Sequence, residues 1–182
     1  MIIVFYGDDI LKRDYIDSKT SCSIMLPYPE IDIKEINLNY VKMIKKCYCG
    51  LYSELTLVNQ YNYQQLIIDP YLKTIFKEIS KVEEEHLNIL GNIIIALGGD
   101  ASYTISKKNK TFYWNSKFIN NDTSLKNILI NNINNELEII KEYRKIASII
   151  ENESIVAILN RIILDEELHI KVFNIIYKNE IH

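Results

Sequence analysis

The sequence predicts an all-α fold, a four-helix bundle in which two helix pairs are joined by a long crossover. Three observations carry that expectation. Four segments space their apolar residues three and four apart, as one helix face requires. Between the second and third segments, residues 100–120 show no sustained face. Each of the four apolar stripes is also broken at a matching depth by Glu, or by Glu and His. With 182 residues, 48% of them hydrophobic, the chain is long enough for one domain with a sizeable core.

The first helix is expected from about Asn39 to Ile68, on a stripe of Cys47, Leu51, Glu54, Val58, Tyr61, Gln65 and Ile68. Pro70 ends or kinks it, because proline has no N–H to give the helix ladder. The second stripe is Leu72, Phe76, Ile79, Glu83, His86, Leu90, Ile93 and Leu97, and the Gly98–Gly99 pair stops it. The crossover follows, with Trp114 expected to pack it onto the bundle. Thr123 or Ser124 caps the third helix, whose stripe is Leu125, Leu129, Ile133, Glu136, Ile140, Tyr143, Ala147 and Ile150. After a turn at "ENES", the fourth runs through Ile155, Leu159, Ile162, Glu166, His169, Phe173 and Ile176. Only "MIIVF" at the start suggests a strand. Residues 1–38 form an N-terminal extension packing on the bundle of residues 39–182; "PYPEI" favours extended backbone there, and the sequence leaves open whether the extension covers the site or meets a partner.

Composition excludes several functions. A formal charge of -3 argues against nucleic acid as a partner, because phosphate binding draws on clustered Lys and Arg. No apolar run approaches the roughly 20 residues needed to span a bilayer, so a soluble, cytoplasmic protein is expected, without a membrane partner. Three cysteines, Cys22, Cys47 and Cys49, support neither a disulfide framework nor a thiolate zinc site.

The polar interruptions are the chemical signal. Glu54, Glu83, His86, Glu136, Glu166 and His169 would meet in the middle of the bundle. Burying one ionised carboxylate without a partner costs several kcal/mol even after relaxation, so four together require positive charge among them. The halves also repeat. "ELTLVNQY" and "ELEIIKEY" each place a Glu seven residues before a Tyr, and an ExxH follows each. Such duplication predicts a pseudo-two-fold axis with equivalent ligands from each half. Glu and His three apart lie on one helix face, so each ExxH pair can offer a carboxylate oxygen and an imidazole nitrogen to one metal. Two divalent cations neutralise four carboxylates, and mixed O and N donors suit iron or manganese better than zinc.

The order E, ExxH, E, ExxH, carried by "SELTLVNQY", "VEEEHL" and "RIILDEELH", resembles the ferritin-like superfamily of di-iron or di-manganese carboxylate proteins, nearest to its rubrerythrin-like branch. The resemblance covers about residues 39–178. It implies that Glu54, Glu83, His86, Glu136, Glu166 and His169 are direct metal ligands, with Glu54 and Glu136 bridging or capping the two Fe or two Mn ions. It also implies that Asp165 accepts the second N–H of a ligand histidine from another helix; the plainer reading of that residue is a surface Asp. Rubrerythrins proper carry a rubredoxin-like domain with two CxxC pairs, whereas this sequence has only "CYC", so an electron donor would be external.

Neighbouring residues have plainer readings. Glu84 and Glu85 fall about 100 and 200 degrees around the helix from Glu83 and belong on the surface, as do Glu138, Glu142 and Glu167. Tyr61 and Tyr143 are either core tyrosines with satisfied hydroxyls or hydrogen-bond donors to ligand carboxylates. Gln65 is expected to satisfy backbone or crossover groups. For function, the expectation is an oxidoreductase, a rubrerythrin-like peroxidase or manganese-catalase-like enzyme, that reduces or disproportionates hydrogen peroxide or reacts with dioxygen. The alternatives are iron handling by Fe(II) oxidation and a metal-stabilised bundle serving assembly or a coat. A homodimer is expected from the habit of bundles to pair apolar faces.

Overall fold

The computed structural model describes residues 21–108 and 110–181. Within them, five α-helices and one small hairpin follow in order: α1 Leu38–Cys49, α2 Glu54–Ile67, α3 Pro70–Ala96, β1 Thr104–Lys107, β2 Lys110–Tyr113, α4 Leu125–Ala147 and α5 Glu153–Glu180, with a 3-10 turn at Ser116–Phe118. The bundle pairs α2 with α3 and α4 with α5, and α1 lies against α3 and the hairpin. "MIIVF" and His182 lie outside the described residues.

Local signals explain the element ends. Pro70 occupies the first turn of α3, where its missing N–H costs nothing, so α2 and α3 are separated only by Ile68 and Asp69. Gly98 has φ +79, the left-handed conformation that ends a helix with little strain only at glycine. The Asn152 side chain accepts from Ile155 N–H to cap α5. A single apolar core runs through all the helices, including Leu57, Ile79, Leu90, Ile139, Leu159 and Phe173. Among the described residues, no helix is long and apolar enough to cross a membrane.

Two expectations about the elements need correction. The continuous helix over 39–68 is two helices, interrupted at residues 50–53. Gly50 takes an extended conformation in which a Cβ would collide with the Lys46 carbonyl oxygen. Ser53 then opens α2 by accepting from Thr56 N–H, while Leu51 on the expected buried stripe is 49% exposed. The crossover is not strand-free either. Thr104 pairs with Tyr113 and Lys107 with Lys110 in an antiparallel hairpin, turned at Lys108 with φ 50. β2 is exposed throughout, so it carries no apolar alternation to read. Trp114 does pack the crossover onto the bundle, half-buried against the core with its indole N–H on Thr56 Oγ1 at 3.0 Å.

Candidate metal centre

Glu83 and His86 sit three apart on α3, Glu166 and His169 three apart on α5, and each pair projects inward from one helix face. Glu54 comes from the first residue of α2 and Glu136 from the middle of α4. All six side chains are fully buried, and the structure brings them into one cluster. Glu54, Glu83, His86 and Glu166 offer ligand atoms within 4.8 Å of one another, and so do Glu83, Glu136, Glu166 and His169. Glu83 and Glu166 are common to both groups. Two ions held there would share Glu83 and Glu166, while Glu54 and Glu136 would each serve one.

The two imidazoles face the carboxylates through Nδ1. His86 Nδ1 lies 3.1 Å from Glu166 Oε1, 3.3 Å from Glu83 Oε2 and 3.7 Å from Glu54 Oε2. His169 Nδ1 lies 2.9 Å from Glu83 Oε1, 3.1 Å from Glu166 Oε2 and 3.6 Å from Glu136 Oε1. The Nε2 atoms point away from the cluster: that of His169 is 2.9 Å from the Cys22 carbonyl oxygen, and that of His86 is 3.2 Å from Asp165 Oδ2 and 3.0 Å from Tyr28 Oη. A carbonyl oxygen can only accept, so His169 carries its proton on Nε2. In the neutral ring, Nδ1 is then a lone pair aimed at carboxylates.

That arrangement fits a pair of cations. Glu54 Oε2, Glu83 Oε1, Glu136 Oε2 and Glu166 Oε1 are buried without a well-formed hydrogen bond; an imidazole Nδ1 stands within ion-pair distance of the first, second and fourth of them. An orphaned carboxylate oxygen is costly to bury, and here there is one on each of four carboxylates. The outer oxygens are satisfied by protein: Tyr61 Oη donates to Glu136 Oε1, and Tyr143 Oη donates to Glu54 Oε1. Each tyrosine thus crosses to the carboxylate of the opposite half, as a pseudo-two-fold axis requires. Hard oxygen donors with two imidazole nitrogens and no thiolate are the donor set of iron and manganese.

Without cations, protons take up part of the charge. Burial, and then repulsion from Glu166 and Glu83, pushes the Glu54 carboxyl well above its ordinary range. Burial and the same two neighbours raise Glu136 likewise. Burial alone would lower His86 and His169, but the surrounding carboxylates outweigh it and raise both well above the ordinary imidazole value. Glu83 shows the reverse balance: burial opposes ionisation, yet His169 and His86 together bring it down to about 2.

The supporting residues were only partly visible in sequence. Asp165, buried on α5, accepts from His86 of α3, and it also pairs with Arg161 Nη1 at 2.7 Å and accepts from Tyr28 Oη at 2.6 Å. Arg161 and Tyr28 were missed, although an Arg four residues before an Asp on a buried stripe was a usable signal. Gln65 does not serve the crossover; it is half-buried and bonds Asn62. Gln60 does, exchanging hydrogen bonds with Asn120 backbone at 2.9 and 2.7 Å, while Gln64 pairs with Asn132. On α2 the buried polar positions are Gln60 and Gln64, beside Gln65 of the expected stripe. Glu84 and Glu85 are exposed, and Glu138, Glu142 and Glu167 pair with Lys141, Lys46 and Arg144.

A rubrerythrin family model matches residues 50–177, a span that includes all six cluster residues. The chain belongs to the rubrerythrin family. Solved structures agree in fold. A manganese catalase from Anabaena PCC7120 superposes with a TM-score of 0.77 at 19% identity, covering 85% of this chain and 78% of that one. A bacterioferritin from Mycobacterium tuberculosis gives 0.65 at 18% identity, over 81% and 92% of the two chains. A dodecameric thioferritin from Bacteroides fragilis gives 0.61 at 16% identity, over 79% and 88%. At such identities the likeness is one of fold, the ferritin-like four-helix bundle of di-metal carboxylate proteins. No curated protein matches the chain.

Proposed function

We propose that this rubrerythrin-family protein is an oxidoreductase that holds two iron or two manganese ions and reduces or disproportionates hydrogen peroxide, or reacts with dioxygen. The observation that carries the reading is enclosure. All six cluster side chains have zero exposure, so the site favours a substrate of two heavy atoms, such as peroxide or dioxygen, over a larger organic molecule. When bound, two redox-active ions supply the electrons for cleaving an O–O bond and the positive charge that stabilises the oxygens as they separate.

The protein's own groups do the rest. Glu54, Glu83, His86 and Glu166 would hold one ion, and Glu83, Glu136, Glu166 and His169 the other. Tyr61 and Tyr143 keep their protons, since burial and the neighbouring carboxylates raise both phenols well above their ordinary value. Their hydroxyls therefore act as donors, fixing the outer oxygens of Glu136 and Glu54 and turning the free ones inward. The packed rings of Phe76 and Phe173 against Tyr61 keep water from that side, with centroids 6.4 and 5.6 Å away.

The test is stopped-flow absorbance after mixing the reduced, metal-loaded protein with hydrogen peroxide, with oxygen release followed in parallel. Rapid oxidation that turns over only with an added reductant supports a peroxidase using an external donor. Oxygen release without reductant supports catalase chemistry. Iron handling is the second reading, prompted by the fold shared with bacterioferritin and thioferritin. It is favoured if oxidation proceeds once per ion and iron accumulates beyond two ions per chain. No reaction with peroxide or dioxygen contradicts the redox reading.

A further inference from the structure

The halves of the bundle repeat their ligands but not what stands behind the imidazoles. On α5, Asp165 directly precedes Glu166 and accepts from His86. The matching residue on α3, directly before Glu83, is Val82, which is buried and offers no acceptor. His169 consequently has no carboxylate behind it. Its Nε2 donates to the Cys22 carbonyl oxygen instead, a group from the N-terminal segment and not from a bundle helix.

That segment is fastened close by. Ile24 N–H donates to Asp165 Oδ1 at 2.7 Å. Arg161, 6% exposed on α5, grips two of its carbonyls, Leu26 through Nε at 2.8 Å and Ile24 through Nη2 at 2.6 Å. The same guanidinium lies 4.5 Å from the centre of the Tyr28 ring. A backbone carbonyl held so firmly does what a carboxylate does behind other metal-binding histidines: it fixes the ring and keeps the proton on the outer nitrogen. Without it, His169 is free to adopt the Nδ1–H tautomer, which bonds to the carboxylates and leaves its lone pair on Nε2, facing away from the cluster.

Resting on the metal-centre reading, we propose that residues 22–28 form a positioning strap on which the His169 position depends for its whole backing and the His86 position only in part. The ion that Glu83, Glu136, Glu166 and His169 would hold depends on the docked Cys22 carbonyl, whereas the position of Glu54, Glu83, His86 and Glu166 has Asp165 of α5 behind its imidazole as well as the strap's Tyr28 hydroxyl. Cys22 and Tyr28 are thus positioning residues; neither is required to touch a metal.

The full-length chain with Ile24→Pro tests this. Proline removes the N–H that donates to Asp165 Oδ1 and restricts Ser23, while Oδ2, the oxygen that faces His86, keeps its bonds from Arg161 and Tyr28. The metal-free protein is titrated with Mn(II), and free Mn(II) is counted by its electron paramagnetic resonance signal. Wild type is expected to take up two ions. The variant is expected to keep one within about threefold of its wild-type affinity and to bind the other about ten- to hundredfold more weakly. Arg161→Lys, which keeps a cation beside Asp165 but not the two-pronged grip, is expected to weaken the same position by a smaller factor. In metal-free samples of both variants, nuclear magnetic resonance should show the His169 Nε2–H exchanging faster with water, and that of His86 changing clearly less. Equal weakening of both ions, or no change at either in both variants, overturns the strap. Failure of wild type to take up any Mn(II) overturns the metal-centre reading itself, and the strap with it.

Discussion

The first half of the bundle delivers its lone glutamate from the start of a helix, the second half from the middle of one. α1 breaks at Gly50 so that Glu54 is the first residue of α2, where the N-terminal helix dipole favours a carboxylate; Glu136 lies inside the unbroken α4. Even so, each glutamate is followed seven residues later by a buried tyrosine that reaches the other half's carboxylate. What the halves share is the depth and facing of the chemical groups. Where each helix begins and what backs each imidazole were free to diverge. The same contrast recurs between Asp165 and Val82 behind the two ExxH motifs.

The largest effect should come from the residues that both halves use. Glu83→Ala or Glu166→Ala is expected to cost both ions, whereas Glu54→Ala or Glu136→Ala costs one, as read by elemental analysis after purification and dialysis. Loss of one ion in all four variants would show that the shared place is not shared.

Next is the response to pH. The folded metal-free protein holds Glu54, Glu136, His86 and His169 above their unfolded values, so each contributes stability at low pH that is lost as pH rises through the folded values. Glu83, down to about 2, works the other way but only in acid, below its ordinary carboxylate range. From about pH 5 upward the metal-free melting temperature should therefore fall. The metal-loaded protein should keep or gain stability over the same range, because its ligands must shed protons to bind. Parallel curves for the two forms would contradict a metal site built from these groups.

Smaller effects test the pseudo-symmetry. Tyr143→Phe and Tyr61→Phe each strip a donor from a buried carboxylate and should each cost about 1–3 kcal/mol in chemical denaturation. Clearly unequal losses would mean that the two halves do not carry equivalent tyrosines. At the bottom of the scale, Glu84→Ala should stay within about 0.5 kcal/mol of wild type and leave metal content unchanged.

Periodicity made the bundle legible, because apolar stripes and their stops at Pro70 and Gly98 are local properties of the chain. The six cluster residues were legible for a related reason: charge on an otherwise apolar stripe is conspicuous. The break at Gly50 was not, since Cys47, Leu51 and Glu54 keep helical spacing across it; the glycine followed by a capping Ser53 was the available sign. The hairpin was hidden because its second strand is wholly exposed. The backing of His169 left no trace at all. It is a main-chain carbonyl, and a carbonyl looks alike at every residue.

Elemental analysis of protein purified without added metal tests the central claim most directly. About two iron or manganese ions per chain are expected, lost together in Glu83→Ala. Protein that carries neither metal, and takes up neither on incubation, would contradict it.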